Sequence, residues 1–316
     1  MDTFSAMEKI DTLPIARYWI TARALEPLAI PLFAGSMLRG AFGTALRAVS
    51  CLTGNQHCVE CSFSSKCTFT MVFQQPPPLD HPLQRFSAVP NPYVIEPPED
   101  APLYLDKGET FRFSLVLMGR AIGRLALIFQ ALERALAKGL GKGRKKCELV
   151  AIHVEGDPHE PIYLPGRGPR THRLACPSHD NPVGNQNAAI QFITPLRLQN
   201  NGRPLGPDEL DARTFLIALA RRYQLLCDTQ LSSNRPQLDF KVLTDAARSI
   251  RMKSHMTWVD LFRYSRRQNR YIPCGGLLGT IELEGNLAPF TSLLSLGRWI
   301  HVGKETVFGH GKYRLV

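Results

Sequence analysis

No apolar run in the 316-residue sequence approaches the roughly 20 residues that a bilayer-spanning helix needs. Asp2, Glu8 and Asp11 stand where a secretory signal would place Lys or Arg ahead of an apolar stretch. Neither a membrane span nor secretion is expected, and the expected location is the cytoplasm. Acidic residues are also in short supply: 27 Asp and Glu against 38 Lys and Arg leave a formal net charge of +11. Such a balance favours a polyanionic partner, because basic side chains release the counterions condensed on nucleic acid. In a reducing compartment the eight cysteines are not a disulfide framework. A recognisable DNA-reading helix is missing too. A zinc-containing DNA-binding regulator therefore has only the cysteines and the charge in its favour.

What is present supports sizeable cores, since 44% of residues are hydrophobic and the length fits two domains better than one. Residues 13–25 read as an opening strand. A helix from 36 to about 49 follows, with Ser36 as its cap and Met37, Leu38, Ala41, Phe42, Ala45, Leu46 and Val49 on one face. Arg39 and Arg47 lie off that face. Gly40 and Gly43 interrupt the helix at about 1 kcal/mol each, so something is expected to pack close to them. The proline-rich passage 76–102 is too broken for an interior strand, although one strand is placed between Phe69 and Ile95. Residues 110–117 alternate as a strand, and Ile122, Leu125, Phe129, Leu132 and Leu136 mark a second helix. Lys138, Lys142, Arg144, Lys145 and Lys146 close that helix, either as a solvated end suited to its dipole or as RNA contacts. A strand at 149–154 completes the order strand, helix, strand, strand, helix, strand, which is the ferredoxin-like unit.

Six prolines between 156 and 188 mark a linker, which sets domain boundaries at 1–155 and 189–316. His153, His159, His172 and His179, in or beside it, fit no helix face and give little support to a second metal site. The second half repeats the plan. A strand at 190–198 leads to a helix carrying Phe215, Leu216, Leu219, Tyr223 and Leu226, with Arg221 and Arg222 near its edge. Residues 258–264 alternate, with Trp258, Phe262 and Tyr264 on one face, a stripe more often core than a platform for unpaired bases. Arg263, Arg266, Arg267 and Arg270 then sit on a hairpin, where guanidinium forks can grip phosphates in pairs.

Cys51, Cys58, Cys61 and Cys67 cluster within residues 51–67, with a Cys-Val-Glu-Cys knuckle at 58–61. Four thiolates at short reach suit tetrahedral zinc, and the patch is too poor in apolar residues to order itself by burial. One structural zinc in a small insertion is the expectation, four incidental thiols the alternative. Cys147, Cys176, Cys227 and Cys274 are scattered and read as ordinary small residues.

The last residues follow a helix at 287–300: His301-Val302-Gly303-Lys304, then Glu305-Thr306-Val307-Phe308, then Gly309-His310-Gly311-Lys312 and a closing short strand. Gly303, Gly309 and Gly311 allow positive φ and close approach to a bulky anion, with backbone N–H groups aimed at phosphate oxygens and Lys304 and Lys312 alongside. This order, with Cys274-Gly275-Gly276-Leu277-Leu278-Gly279 and Leu293-Leu294-Ser295-Leu296-Gly297 before it, resembles the RAMP superfamily of CRISPR-associated RNA-binding proteins. Within it the chain resembles the repeat-cleaving endoribonucleases of the Cas-six family, and the cysteine insertion after the first helix is similar to one branch.

The resemblance implies an α+β fold of two tandem ferredoxin-like (RRM-like) domains with a C-terminal glycine-rich loop. It implies an endoribonuclease that cleaves CRISPR repeat RNA into guide RNA by attack of the substrate's own 2′-hydroxyl, with no metal in catalysis. Its partners would be repeat or guide RNA and other CRISPR effector subunits. Many members keep the catalytic histidine in or just after the first helix, but residues 36–50 contain none and the nearest is His57. The catalytic candidates are therefore His301, placed first because it stands beside the loop and Lys304, then His57, with His310 and a histidine-free site charged by Arg39 and Arg47 as rivals. The RNA-binding candidates are Gly303, Lys304, Gly309, Gly311, Lys312, Arg47, Arg263, Arg266, Arg267 and Arg270. A RAMP subunit that binds guide RNA without cutting it is the alternative.

Overall fold

The computed structural model describes residues 13–55, 57–75, 89–177, 183–265 and 268–316. Asp2, Glu8, Asp11, His179, Pro182, Arg266, Arg267 and residues 76–88 of the proline-rich passage lie outside them. The chain forms two compact units, one spanning Pro14–Ala175 and the other containing Cys176–Val316.

In the first unit, β1 (Ile15–Ala24), α1 (Gly35–Ser50), β2 (Tyr93–Glu96), β3 (Thr110–Met118), α2 (Leu125–Lys138) and β4 (Cys147–Val154) follow one another with smaller pieces between. The sheet order is β2-β3-β1-β4, every pair antiparallel. That is the ferredoxin-like arrangement, in which the two helix-containing connections cover one face. On β1 the side chains of Ala16, Tyr18, Ile20, Ala22 and Ala24 are buried, whereas Arg17, Trp19, Thr21 and Arg23 turn the other way. Period-two alternation thus decides which face receives the helices.

Helix α1 begins at Gly35, one residue before the expected cap. Its N-cap is Ala34 with no side-chain bond, so Ser36 lies inside the first turn. The expected apolar face packs inward, and fully buried Phe42 meets Tyr93 edge-on at 5.8 Å. Burying a ring of this size contributes about 2–3 kcal/mol. The close neighbour expected at the glycines exists at one of them. A Cβ on Gly43 would fall 2.2 Å from the ring of Phe73, while one on Gly40 would meet nothing within 4 Å. Phe73 belongs to a short helix, Thr68–Phe73, and stacks on both Phe69 and Tyr93. Beyond β4, the backbone of Ile162 and Tyr163 bonds to Ile152 and the amide of Ala175 to Ile15, so residues up to 175 pack on this unit.

The second unit repeats the topology. Its elements are β5 (Asn187–Phe192), α3 (Ala212–Gln230), α4 (Phe240–Arg248), β6 (Arg251–Val259), β7 (Phe262–Ser265), β8 (Arg270–Pro273), β9 (Gly276–Glu284), α5 (Thr291–Ile300) and β10 (Tyr313–Leu315). The sheet runs β6-β9-β5-β10, again all antiparallel, and β7 and β8 form a separate two-stranded ribbon between β6 and β9. Phe192, Phe215 and Tyr313 form an aromatic triangle between sheet and helices, with centroids 5.7 to 6.1 Å apart. The hydroxyl of Tyr313 donates to the carbonyl of Leu294 at 2.7 Å, and a Cβ on Gly297 would lie 2.0 Å from that hydroxyl. Glycine at 297 is what lets α5 cross the last strand this closely.

Candidate functional site

The glycine-rich loop is held from inside. Thr194 donates to the carbonyl of Gly309 at 2.6 Å, the amide of Gly311 donates to Pro195, and the amide of Lys304 donates to Arg197 at 2.8 Å. The amide of Gly309 closes a turn onto Thr306. These amides are already used within the protein, so the loop does not present them as a phosphate cradle. Its glycines serve backbone packing instead: a Cβ on Gly303 would fall 2.5 Å from the carbonyl oxygen of Arg197. What the loop offers to solvent is side-chain charge. Lys304 is exposed, and Lys312 is half-buried, with its amide bonded to Thr194.

His301 is fully buried, and its Nδ1 donates to the carbonyl of His310 at 3.0 Å. Its backbone sits at φ 60°, ψ 176°, a region that almost only glycine occupies. The ring therefore pins the two ends of the loop together and is closed off from solvent. His310 is buried as well. Its Nε2 donates to the carbonyl of Cys274, and burial pushes its pKa down to about 4, with Arg197, His301 and Arg263 adding to the effect and the hydrogen bond opposing it. Both loop imidazoles are thus structural as placed. Arg222, expected at a helix edge, is buried and donates from Nε to the carbonyl of Ile300 at 2.7 Å, closing the end of α5 where the loop begins. Periodicity missed Arg222, Thr194 and Arg197 because nothing local marks a residue that bonds a loop about a hundred residues away.

On the ribbon, Arg263 turns toward the loop. Its guanidinium lies 4.8 Å from the ring centroid of Phe308, and its Nε is 3.4 Å from the Glu305 carboxylate. Arg270 is exposed, with Nε on Gln268. The aromatic stripe expected as core is not buried: Trp258, Phe262 and Tyr264 are 38%, 65% and 47% exposed. Strand pairing breaks at Asp260 and Leu261, so Phe262 and Tyr264 sit on the separate ribbon, not on the sheet.

In the first unit the structure gathers a different set. Arg47 donates to the carbonyl of Asn55 at 2.7 Å while the Asn55 side chain accepts the amide of His57 at 2.9 Å. This folds the chain back after α1, so that Thr44, Arg47, Ala48, Cys51, Gly54 and His57 line one open hollow. The side chain of His57 is exposed. Arg39, two turns earlier, bonds the Tyr93 hydroxyl at 3.1 Å and lies over the Phe73 ring at 4.2 Å. Cys51, Cys58, Cys61 and Cys67 are all half-buried free thiols. Among the described residues no three His, Cys, Asp or Glu side chains are close enough together to hold a metal ion. As placed, the four thiols are not a zinc shell. Backbone N–H groups of Gly54 and Thr53 nonetheless lower the pKa of Cys51.

Two ferredoxin-like units in tandem, the second carrying a basic glycine-rich loop between its last helix and last strand, define a protein of the RAMP type. Residues 13–175 match the family model AF_1859_N, an N-terminal domain, and residues 190–313 match that of the CRISPR-associated endoribonuclease Cas6. Among solved structures, Thermus thermophilus Cas6 superposes with a TM-score of 0.56 at 14% identity, covering 96% of this chain and 99% of that one. The same protein in a product complex gives 0.58 at 17% identity, over 96% and 100%. A chain of a partial Cas6-RT-Cas1–Cas2 complex gives 0.54 at 13% identity, over 96% of this chain and 46% of its own. No curated protein matches the sequence. The first family model spans more than half of the sequence, so the chain belongs to the family of that N-terminal domain, and its second unit matches the CRISPR-associated endoribonuclease Cas6 over residues 190–313.

Proposed function

We propose that the protein binds CRISPR repeat RNA and cuts it by attack of the substrate's own 2′-hydroxyl, without a metal in the chemical step. The observation that carries this reading is the hollow after α1, where an exposed imidazole, His57, and a guanidinium, Arg47, share one wall in a chain whose second unit matches Cas6. An imidazole nitrogen can take the proton of the 2′-hydroxyl or return one to the leaving 5′-oxygen. The 2′-oxygen attacks the adjacent phosphorus, the P–O5′ bond breaks, and the products carry a 2′,3′-cyclic phosphate and a 5′-hydroxyl. Arg47 stabilises charge on the phosphate in flight. Lys304, Lys312, Arg263 and Arg270, all on the second unit, contact phosphates of the RNA. The named product complex and Cas1–Cas2 complex of the structural relatives support RNA and other CRISPR proteins as partners.

Incubating purified protein with a repeat RNA in EDTA tests the reading, with product ends resolved by periodate and phosphatase sensitivity. Shortened RNA ending in a cyclic phosphate supports it, and cleavage that needs added divalent metal overturns the mechanism. The second reading, a subunit that holds guide RNA without cutting it, draws on the burial of both loop histidines. It predicts intact RNA in the same assay.

We also propose that Cys51, Cys58, Cys61 and Cys67 take one structural zinc when residues 51–67 close around it. Four thiols within residues 51–67, two of them in a Cys-Val-Glu-Cys knuckle, support this, because zinc takes thiolate ligands at such short spacing.

A further inference from the structure

The ribbon formed by β7 and β8 is built with its apolar side out. In an antiparallel pair, residues directly opposite share a face, and alternate residues along each strand share it too. The register pairs Phe262 with Pro273 and Tyr264 with Tyr271, so these four residues make one face. All four are exposed, Phe262 to 65%, Tyr264 to 47% and Tyr271 to 70%. The opposite face carries Arg263, half-buried against Phe308 and Glu305, with Ser265, Arg270 and Ile272. A solvated ribbon that packs one face on the protein would hide its rings on that face. Single exposed hydrophobics need no explanation, but a contiguous face of three rings and a proline is of the kind that marks an interaction surface.

Charge identifies the occupant. Residues 262–273 contain four arginines and no carboxylate, and Arg270 is exposed at the end of the ribbon. A hairpin that shows rings on one face and is rich in arginine and free of acid along its sequence fits a partner whose flat apolar groups hang on an anionic backbone, which is single-stranded nucleic acid. Two of the rings are fixed before any ligand arrives. Tyr264 and Tyr271 pack edge to face at 5.4 Å, and the Tyr264 hydroxyl bonds Asn269, so little side-chain entropy remains to be lost on stacking.

We infer that the outer face of this ribbon, Phe262, Tyr264 and Tyr271, is a stacking platform for unpaired RNA bases, with exposed Arg270 at the end of the ribbon as a contact for the RNA backbone. This rests on the RNA-binding reading above and extends it, because it assigns the unpaired part of the substrate to particular rings.

The test measures binding of a short oligoadenylate, of a chain of abasic ribose phosphates of the same length, and of a repeat RNA, each across a salt series. The parent should bind oligoadenylate more tightly than the abasic chain. Tyr271→Leu and Phe262→Leu keep an apolar exposed residue but remove the ring, and each should weaken oligoadenylate binding by roughly 5- to 150-fold. They should leave the abasic chain and the salt slope unchanged. Arg270→Gln should flatten the slope by about 0.7 instead. Equal binding of oligoadenylate by parent and ring variants, while the parent still holds repeat RNA, overturns the platform and leaves the broader reading standing. A parent that binds none of the three overturns both. If the ring variants bind RNA like the parent but lose a dimer seen in sedimentation, the face is a contact between copies and the platform is again overturned.

Discussion

A Cβ on Gly311 would lie 1.9 Å from the carbonyl oxygen of Val302. At φ 70° that position also disfavours any residue with a side chain. Gly311→Ala should therefore destabilise the second unit by about 3 kcal/mol, a sum of strained φ and forced backbone movement. Thermal unfolding should show a midpoint lowered by on the order of 10 °C. Gly54→Ala is the control, since that glycine has φ 69° but nothing within 4 Å. It should cost about 1 kcal/mol, the conformational part alone.

The two histidine candidates separate by assay. His57→Ala should slow single-turnover cleavage by roughly 10² to 10⁴ and leave RNA affinity nearly intact, as removal of a general acid or base does. His301 is buried in a backbone region natural to glycine, so His301→Gly should be less destabilising than His301→Ala. Once corrected for the folded fraction, both His301 variants should cut at close to the parent rate. A large loss of rate in fully folded His301→Gly would return catalysis to the loop.

His310 makes stability depend on acid. Its folded pKa is depressed below the ordinary histidine value, so the fold favours the neutral ring and the unfolded chain binds the proton first. Its contribution is complete above about pH 6.5 and is lost as pH falls toward about 4, by about 3 kcal/mol at most. Chemical denaturation at pH 7 and pH 4.5 should show a smaller loss for His310→Gln than for the parent. Equal losses would place the acid sensitivity elsewhere.

The cysteine insertion predicts a metal content. Protein purified without chelator should carry about one equivalent of zinc, and Cys58→Ser with Cys61→Ser should abolish it. Unchanged zinc in that double variant, or less than about half an equivalent in the parent, counts against the site.

Much of the fold is legible along the chain because it is written in local periodicity. The alternation in 110–117, the helical face from Met37 to Val49 and the repeated strand and helix order each declare themselves within one window. The closing glycine loop, with its flanking helix and strand, was enough to point to the family. Other features depend on contacts between distant residues. Glycines that looked shaped for phosphate are shaped for the carbonyls of Arg197 and Val302. His301, beside a lysine in sequence, faces the interior. Phe262 and Tyr264 alternate like core but ride on a ribbon that leaves the sheet. Side-chain patterning along the chain settles the main strands and helices of both units and the basic balance of charge, but not α4, the Thr68–Phe73 helix or the break at Asp260 and Leu261. Which loop amides are already bonded, which imidazole reaches solvent and which rings stay exposed is settled by folding. Burial and hydrogen-bond saturation are properties of residues that meet only when the chain has folded.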